Sequence, residues 1–114
     1  VALPETNRTK LKKTGVLELA ADDRVTRLFE KPTHPPSVWF CPPLYFFQAT
    51  VPRQLDEFLR RHADSDAPGH FIDFLCRKHP VYAFRLNAFR LDIGSVETYR
   101  AADHYLRSNP LNLP

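Results

Sequence analysis

Glycine is scarce in this sequence and proline is not: three glycines stand against eleven prolines in 114 residues. That balance implies many element ends and rigid turns, not a flexible linker. Cysteine is nearly absent too. Cys41 and Cys76 form no C-x-x-C pair and have apolar neighbours, so free, buried thiols in a reducing compartment are expected. No long hydrophobic run exists. The greasiest stretch, "VWFCPPLYFF", is too short and too broken by proline to span a bilayer. No charged-then-apolar leader opens the chain, and internal repeats, heptads and low-complexity tracts are missing. A soluble, cytoplasmic protein is the expectation. The first residue is Val, so an excised or processed piece is expected.

What remains is core material. Nine Phe, four Tyr and one Trp suffice for the one core that a chain of this size can bury. The net charge of +3 is modest. Much of the excess sits in "RTKLKK", where Arg8, Lys10, Lys12 and Lys13 read as a solvated face before they read as a nucleic-acid patch.

Residues 1–13 are polar, basic and aperiodic, and read as an irregular lead-in. "TGVLELAADDRVTRLFE" has the pattern of a β-hairpin turning at Asp22–Asp23. "LYFF", residues 44–47, reads as a short buried strand. A helix follows, with Thr50 as cap, Pro52 in its first turn, and Val51, Leu55, Phe58, Leu59 and His62 on its apolar face. Asp66 suits the cap of a second helix carrying Phe71, Ile72 and Leu75. "PVYAFRL" and "FRLDI" look like strands. Ser95 caps a last helix to about Leu106, ended by Asn109–Pro110. The order predicts an α/β fold, a mixed sheet with flanking helices.

Two short patterns could carry chemistry. "FRLDIGS" delivers Asp92 at a strand end beside a helix N-terminus, where open α/β sheets place ligands and hard cations find carboxylate oxygen. "RLFEKPTHPP" carries Glu30 and Lys31 to the lip of an apolar strand that Pro32 stops. Lysine is a point charge suited to phosphate; glutamate accepts from hydroxyls. Taken singly, each pattern reads better as structure: a capping Asp, and a surface ion pair of little worth. His62, Asp64, Asp66 and His70 lie within nine residues but read as a linker. Ser37 and Ser95 lack the context of a hydrolase triad.

Taken together, "TGVLEL", "DDRVTRLFEKP", "LYFF" and "FRLDIGSVETYRAADHYL" resemble, in order and spacing, the sugar-phosphate nucleotidyltransferases, the family of glucose-1-phosphate thymidylyltransferase and mannose-1-phosphate guanylyltransferase. The resemblance runs from about Gly15 to Leu106. It implies a Rossmann-like nucleotide-diphospho-sugar transferase fold, with residues 14–108 as its C-terminal, sugar-phosphate-binding half and 109–114 as a tail. The implied reaction joins a sugar 1-phosphate to a nucleoside triphosphate, releasing pyrophosphate, with Mg²⁺ neutralising the developing charge. By resemblance, Gly15 offers backbone contact to the sugar and Glu30 accepts from its hydroxyls. Lys31 holds its phosphate, and Asp92 is one of two metal-binding carboxylates. Lys31 and Asp92 are thus the catalytic pair.

This sequence departs from the family pattern in three places. The glycine-rich nucleotide loop and the second metal carboxylate, which belong to an N-terminal half, are not in this chain. Pro42–Pro43 stands where relatives usually carry Ala-Gly, and Arg90 replaces an aromatic. Without clustered backbone N–H donors to cradle a triphosphate, the chain alone is expected to be inactive. Half of such a sheet would also leave an apolar edge exposed, favouring a homodimer or pairing with the missing N-terminal half. The alternatives are a non-catalytic sugar-phosphate sensor or regulatory subunit and, more remotely, a small basic nucleic-acid-binding domain.

Overall fold

The computed structural model describes residues 1–62, 66–88 and 90–110. Its centre is the hairpin that the alternation dictates, β2 (Gly15–Leu19) and β3 (Val25–Glu30). The pairing runs from Gly15 opposite Glu30 to Leu19 opposite Val25, with a bulge between Glu18 and Leu19. That bulge has a purpose. Val25 and Leu28 are three positions apart and would face opposite ways on a regular strand, yet both enter one core. Asp23 closes the turn with φ 65°, a left-handed conformation that Asp tolerates better than most residues.

Two short strands complete the sheet, β1 (Leu3–Pro4) and β4 (Trp39–Cys41), in the order β1-β4-β2-β3. Every pairing between these strands is antiparallel. The mixed sheet expected from the sequence is therefore reduced, among the described residues, to one isolated parallel bridge between Ala2 and Arg85.

The sheet has two covered faces. On one, Leu17, Val25 and Leu28 pack with Phe58, Phe71, Ile72 and Leu75 from α2 (Val51–Arg61) and α3 (Pro68–Lys78). On the other, Leu3, Val16 and Phe40 enclose Leu11, which is completely buried and sits at the end of a one-turn helix, α1 (Arg8–Leu11). The lead-in is thus not irregular. Asn7 Oδ1 accepts from the Thr9 and Lys10 amides at 2.9 and 3.3 Å, so a local cap and one apolar anchor order a segment whose composition shows only charge.

Other corrections have equally local causes. "LYFF" is no strand: β4 lies earlier and ends at Cys41, because Pro42 and Pro43 have no N–H for a ladder. Phe46 beyond them is 83% exposed. Asp66 does not cap α3. Ala67 holds the cap position without a side-chain bond, and Pro68 opens the helix. Thr50 occupies the cap of α2, also without a side-chain bond.

"PVYAFRL" forms no named strand; it straps the sheet through single contacts. Val81 C=O accepts from Val25, Ala83 N–H donates to Asp23, and Ala2 exchanges bonds with Phe84 and Leu86. No strand forms among the described residues of "FRLDI"; Phe89 lies outside them, as do Asp64 of the His/Asp segment and residues 111–114.

Ser95 does cap the last helix, α4 (Val96–Ser108), in a capping box with Thr98. Ala102 is its buried residue, while Ile93, Val96, Tyr99 and Leu106 stay exposed. The radius of gyration, 16.0 Å, exceeds the roughly 13 Å of a compact domain this long.

Candidate functional site

The open end of the β2–β3 hairpin is where the sequence patterns concentrate. Gly15 and Glu30 are register partners there, and Cys41 faces Gly15 from the other side. Lys31 follows at once, exposed and in left-handed backbone with φ 46°. Its N–H donates to Thr14 C=O at 3.1 Å, the last bond before Pro32 ends the ladder. A left-handed lysine carries local strain of about 1 kcal/mol or more. The end of the strand therefore holds the backbone of Lys31 in a sparsely populated conformation.

Glu30 turns the other way, across the sheet toward α3. Its Oε2 lies 3.5 Å from where a Cβ on Gly15 would stand, and 2.1 Å from where one on Gly69 would stand. The carboxylate fits because Gly69 carries no side chain; the contact at Gly15 would be an ordinary one. Both positions sit on the Leu28 side of the hairpin.

What anchors α3 to this edge is Asp73. One of its oxygens accepts from Arg27 Nε at 2.9 Å and from the Leu28 N–H at 3.1 Å; the other accepts from Arg77 at 2.6 Å. Burial alone would raise its carboxyl pKa. The bonds from Arg27, Arg77 and Leu28 more than offset that and hold it below the usual carboxylate range. The outward-facing N–H of an edge strand is thereby satisfied by a helix side chain.

A cavity of about 540 Å³ is lined by Leu17, Cys41, Tyr45, Phe47, Gln54 and Ile72 among others, and Gly15, Glu30, Lys31 and Asp92 are not among its lining residues. Burial, then the neighbouring Cys41 and Glu30, push the Tyr45 hydroxyl up to about 12. Burial also raises the Cys41 thiol, and together with the charge of Asp73 it lifts Cys76 to about 11. Both cysteines are free and half-buried; they stay protonated at neutral pH and are poor nucleophiles. Gln54 Oε1 is buried with no partner among the described residues.

Asp92 lies outside the hairpin, three residues before the cap of α4. Its side chain is 80% exposed and pairs loosely with Arg90 at 3.8 Å. The Arg90 guanidinium lies 4.4 Å over the ring of Phe40, a residue of the second core. Arginine at this position thus stacks on an aromatic. Gly15, Glu30 and Lys31 meet at the hairpin end, while Asp92 has Arg90 as its ion-pair partner. Nor do the described residues hold a group of three His, Cys, Asp or Glu able to take a metal ion. His62 instead stacks on Phe58, ring centroids 4.7 Å apart. Sequence reading missed Gly69 and Asp73, whose partners are close only after folding.

A family description of nucleotidyl transferases matches residues 1–109. The chain belongs to the nucleotidyl transferase family. A glucose-1-phosphate adenylyltransferase of Clostridium acetobutylicum is 26% identical over 118 aligned positions, covering 99% of this chain and 31% of that protein. The chain therefore spans about a third of the length of the curated relative it matches. As a member of the family it contributes a small α/β unit, a four-stranded antiparallel sheet with helices. No described helix is long and apolar enough to cross a membrane.

Proposed function

We propose that this chain is the sugar-phosphate-binding part of a nucleotidyltransferase that makes a nucleotide-sugar and pyrophosphate from a sugar 1-phosphate and a nucleoside triphosphate. The observation that carries the reading is the hairpin end. Gly15 brings bare backbone opposite Glu30, and Lys31 stands beside them, exposed, with its backbone at a left-handed φ. In this reading Glu30 accepts from sugar hydroxyls, a role for which carboxylate oxygens are suited. Lys31 holds the sugar's phosphate and orients its oxygen toward the α-phosphorus; catalysis of this kind is largely positioning and charge stabilisation.

Asp92 is proposed as one carboxylate ligand of a Mg²⁺ ion. Its exposure and its weak pairing with Arg90 leave its oxygens available to a hard cation. A single carboxylate is not a complete site, so the remaining ligands would be triphosphate oxygens and a carboxylate from the rest of the parent protein. Mg²⁺, when bound, supplies neutralisation of charge on the phosphates.

The rest of the parent would complete a Rossmann-like sheet, bring the nucleotide loop, and cover Phe46, Phe84, Val96 and Tyr99, all more than half exposed here. A homodimer would cover the same residues. The chain alone would then be inactive, and the parent would work in the cytoplasm, where nucleoside triphosphates are supplied. The exposure of Asp92 and its single loose pairing with Arg90 favour one second reading, a non-catalytic sugar-phosphate-binding or regulatory subunit.

The test measures pyrophosphate release by the full-length parent with Mg²⁺, across sugar 1-phosphates and triphosphates, alongside calorimetric binding of glucose 1-phosphate. Lys31→Ala should weaken binding and lower turnover at least tenfold. Asp92→Asn should lower turnover about 100-fold with binding little changed. Turnover near wild type in both variants would refute the assignment; binding without any turnover in the wild type would establish the second reading.

A further inference from the structure

We propose that Gly69 is a positioning residue for Glu30: the space left by its missing side chain is the seat of the Glu30 carboxylate. The inference rests on the reading of Glu30 as the group that accepts from sugar hydroxyls.

Gly69 is buried at the second position of α3. Glycine is a poor choice within a helix, because it exposes backbone and loses more conformational freedom than alanine. Conformation does not require it here, since no glycine among the described residues has positive φ. Space does. A Cβ at Gly69 would stand 2.1 Å from Glu30 Oε2, 3.2 Å from its Cδ and 2.9 Å from Leu28 Cδ2. At Gly15, on the opposite flank, the same oxygen would be 3.5 Å away, an ordinary contact. The two glycines are therefore unequal. A methyl group at Gly15 would press on Leu28 Cδ2 at 3.3 Å but leave the carboxylate in place, and one at Gly69 would not.

The atoms in the way are side-chain ends, and the closest by far is the Glu30 carboxylate, with the buried Leu28 Cδ2 behind it. A methyl group at Gly69 would not break the hairpin; it would swing the carboxylate away from α3 and out of the position set by its strand. The loss should fall on recognition of the sugar and spare the phosphate, which Lys31 holds through a different side chain. A glycine that served packing alone would show the reverse, with stability falling and ligand preference unchanged.

The experiment compares the chain with Gly69→Ala in three measurements: the ¹³C shift of the Glu30 carboxyl carbon, the thermal midpoint, and calorimetric affinities for glucose 1-phosphate and for inorganic phosphate. The expected result is a folded variant whose Glu30 resonance moves. Its affinity for glucose 1-phosphate should fall about tenfold, the scale of one charge-assisted hydrogen bond, with phosphate binding unchanged. In a Glu30→Ala background, where no side chain occupies the seat, Gly69→Ala should cause no further loss. An unmoved Glu30 resonance with unchanged affinity overturns the proposal, and so does an equal loss in the Glu30→Ala background. Should Gly69→Ala unfold the chain, Leu28→Val/Gly69→Ala, which makes room on the Leu28 side, is judged by the same criteria. If the wild type binds no sugar phosphate, the functional reading falls, and the Glu30 resonance alone decides the positioning claim.

Discussion

Glu30 and Asp92 arrive in the sequence with similar credentials, each an acid at the end of an apolar run, but the molecule treats them differently. Glu30 is half-buried, matched in register with Gly15 and wedged against α3 by the absence of a side chain at Gly69. Asp92 is 80% exposed, and Arg90 is its loose partner. One carboxylate has been positioned by the packing of a strand, a hairpin and a helix. The other lies on a segment with no regular structure among its described residues, next to a helix whose apolar side is open. A side chain becomes a precise instrument only where neighbouring elements restrict it. In this chain that condition is met around α3 and β3 and not around residues 90–96.

The contrast is broken most severely at Leu28. This residue is 4% exposed and packs in the core shared with α3, while its side chain also borders both glycines of the Glu30 seat. Leu28→Ala should cost about 2–5 kcal/mol, read from urea unfolding. A loss below about 1 kcal/mol would mean that the α3–β3 contact does not dominate the stability of this region.

Asp73 should show a smaller effect with a distinctive pH signature. Its folded-state pKa is depressed, because the bonds from Arg27, Arg77 and the Leu28 N–H outweigh its burial. A depressed carboxyl contributes stability that is fully present above its unfolded value of about 3.9 and is lost as pH falls through the folded value. Asp73→Asn should therefore destabilise by about 1–3 kcal/mol at neutral pH. The gap from wild type should narrow below about pH 4. A gap that stays constant into acid would show that the charge is not what holds α3 to the edge strand.

The sequence made legible what is encoded locally. Alternation and the Asp22–Asp23 turn announce the β2–β3 hairpin, and "S-V-E-T" announces the cap of α4. It misled where a local pattern competes with chain chemistry. "LYFF" has the composition of a strand, but Pro42–Pro43 moves the ladder back to Trp39–Cys41. It was silent on what forms only at a distance. Asp73 meets Arg27 from 46 residues away, and neither "PGHF" nor "LFEK" signals that Gly69 and Glu30 will touch. The candidate site was thus half visible. Its residue types could be read, but the side chains that aim them could not.

The smallest expected effect sits on the other side of the comparison and sharpens it most. Val96 and Tyr99 lie one turn apart on α4, 61% and 59% exposed. In this chain, truncating either to Ala removes almost no buried area and should change stability by less than about 0.5 kcal/mol. In the full-length parent the same substitutions meet a different surface. If the rest of the protein packs on α4, each should cost about 1–3 kcal/mol there, the scale of returning a buried apolar side chain to water. The measurement is one pair of urea titrations, for the chain and for the parent. Equal, negligible losses in both would mean that α4 stays uncovered in the parent, and the segment carrying Asp92 would then gain no order from it. A loss confined to the parent would mean that the weakly positioned region acquires its geometry on assembly, and Asp92 with it.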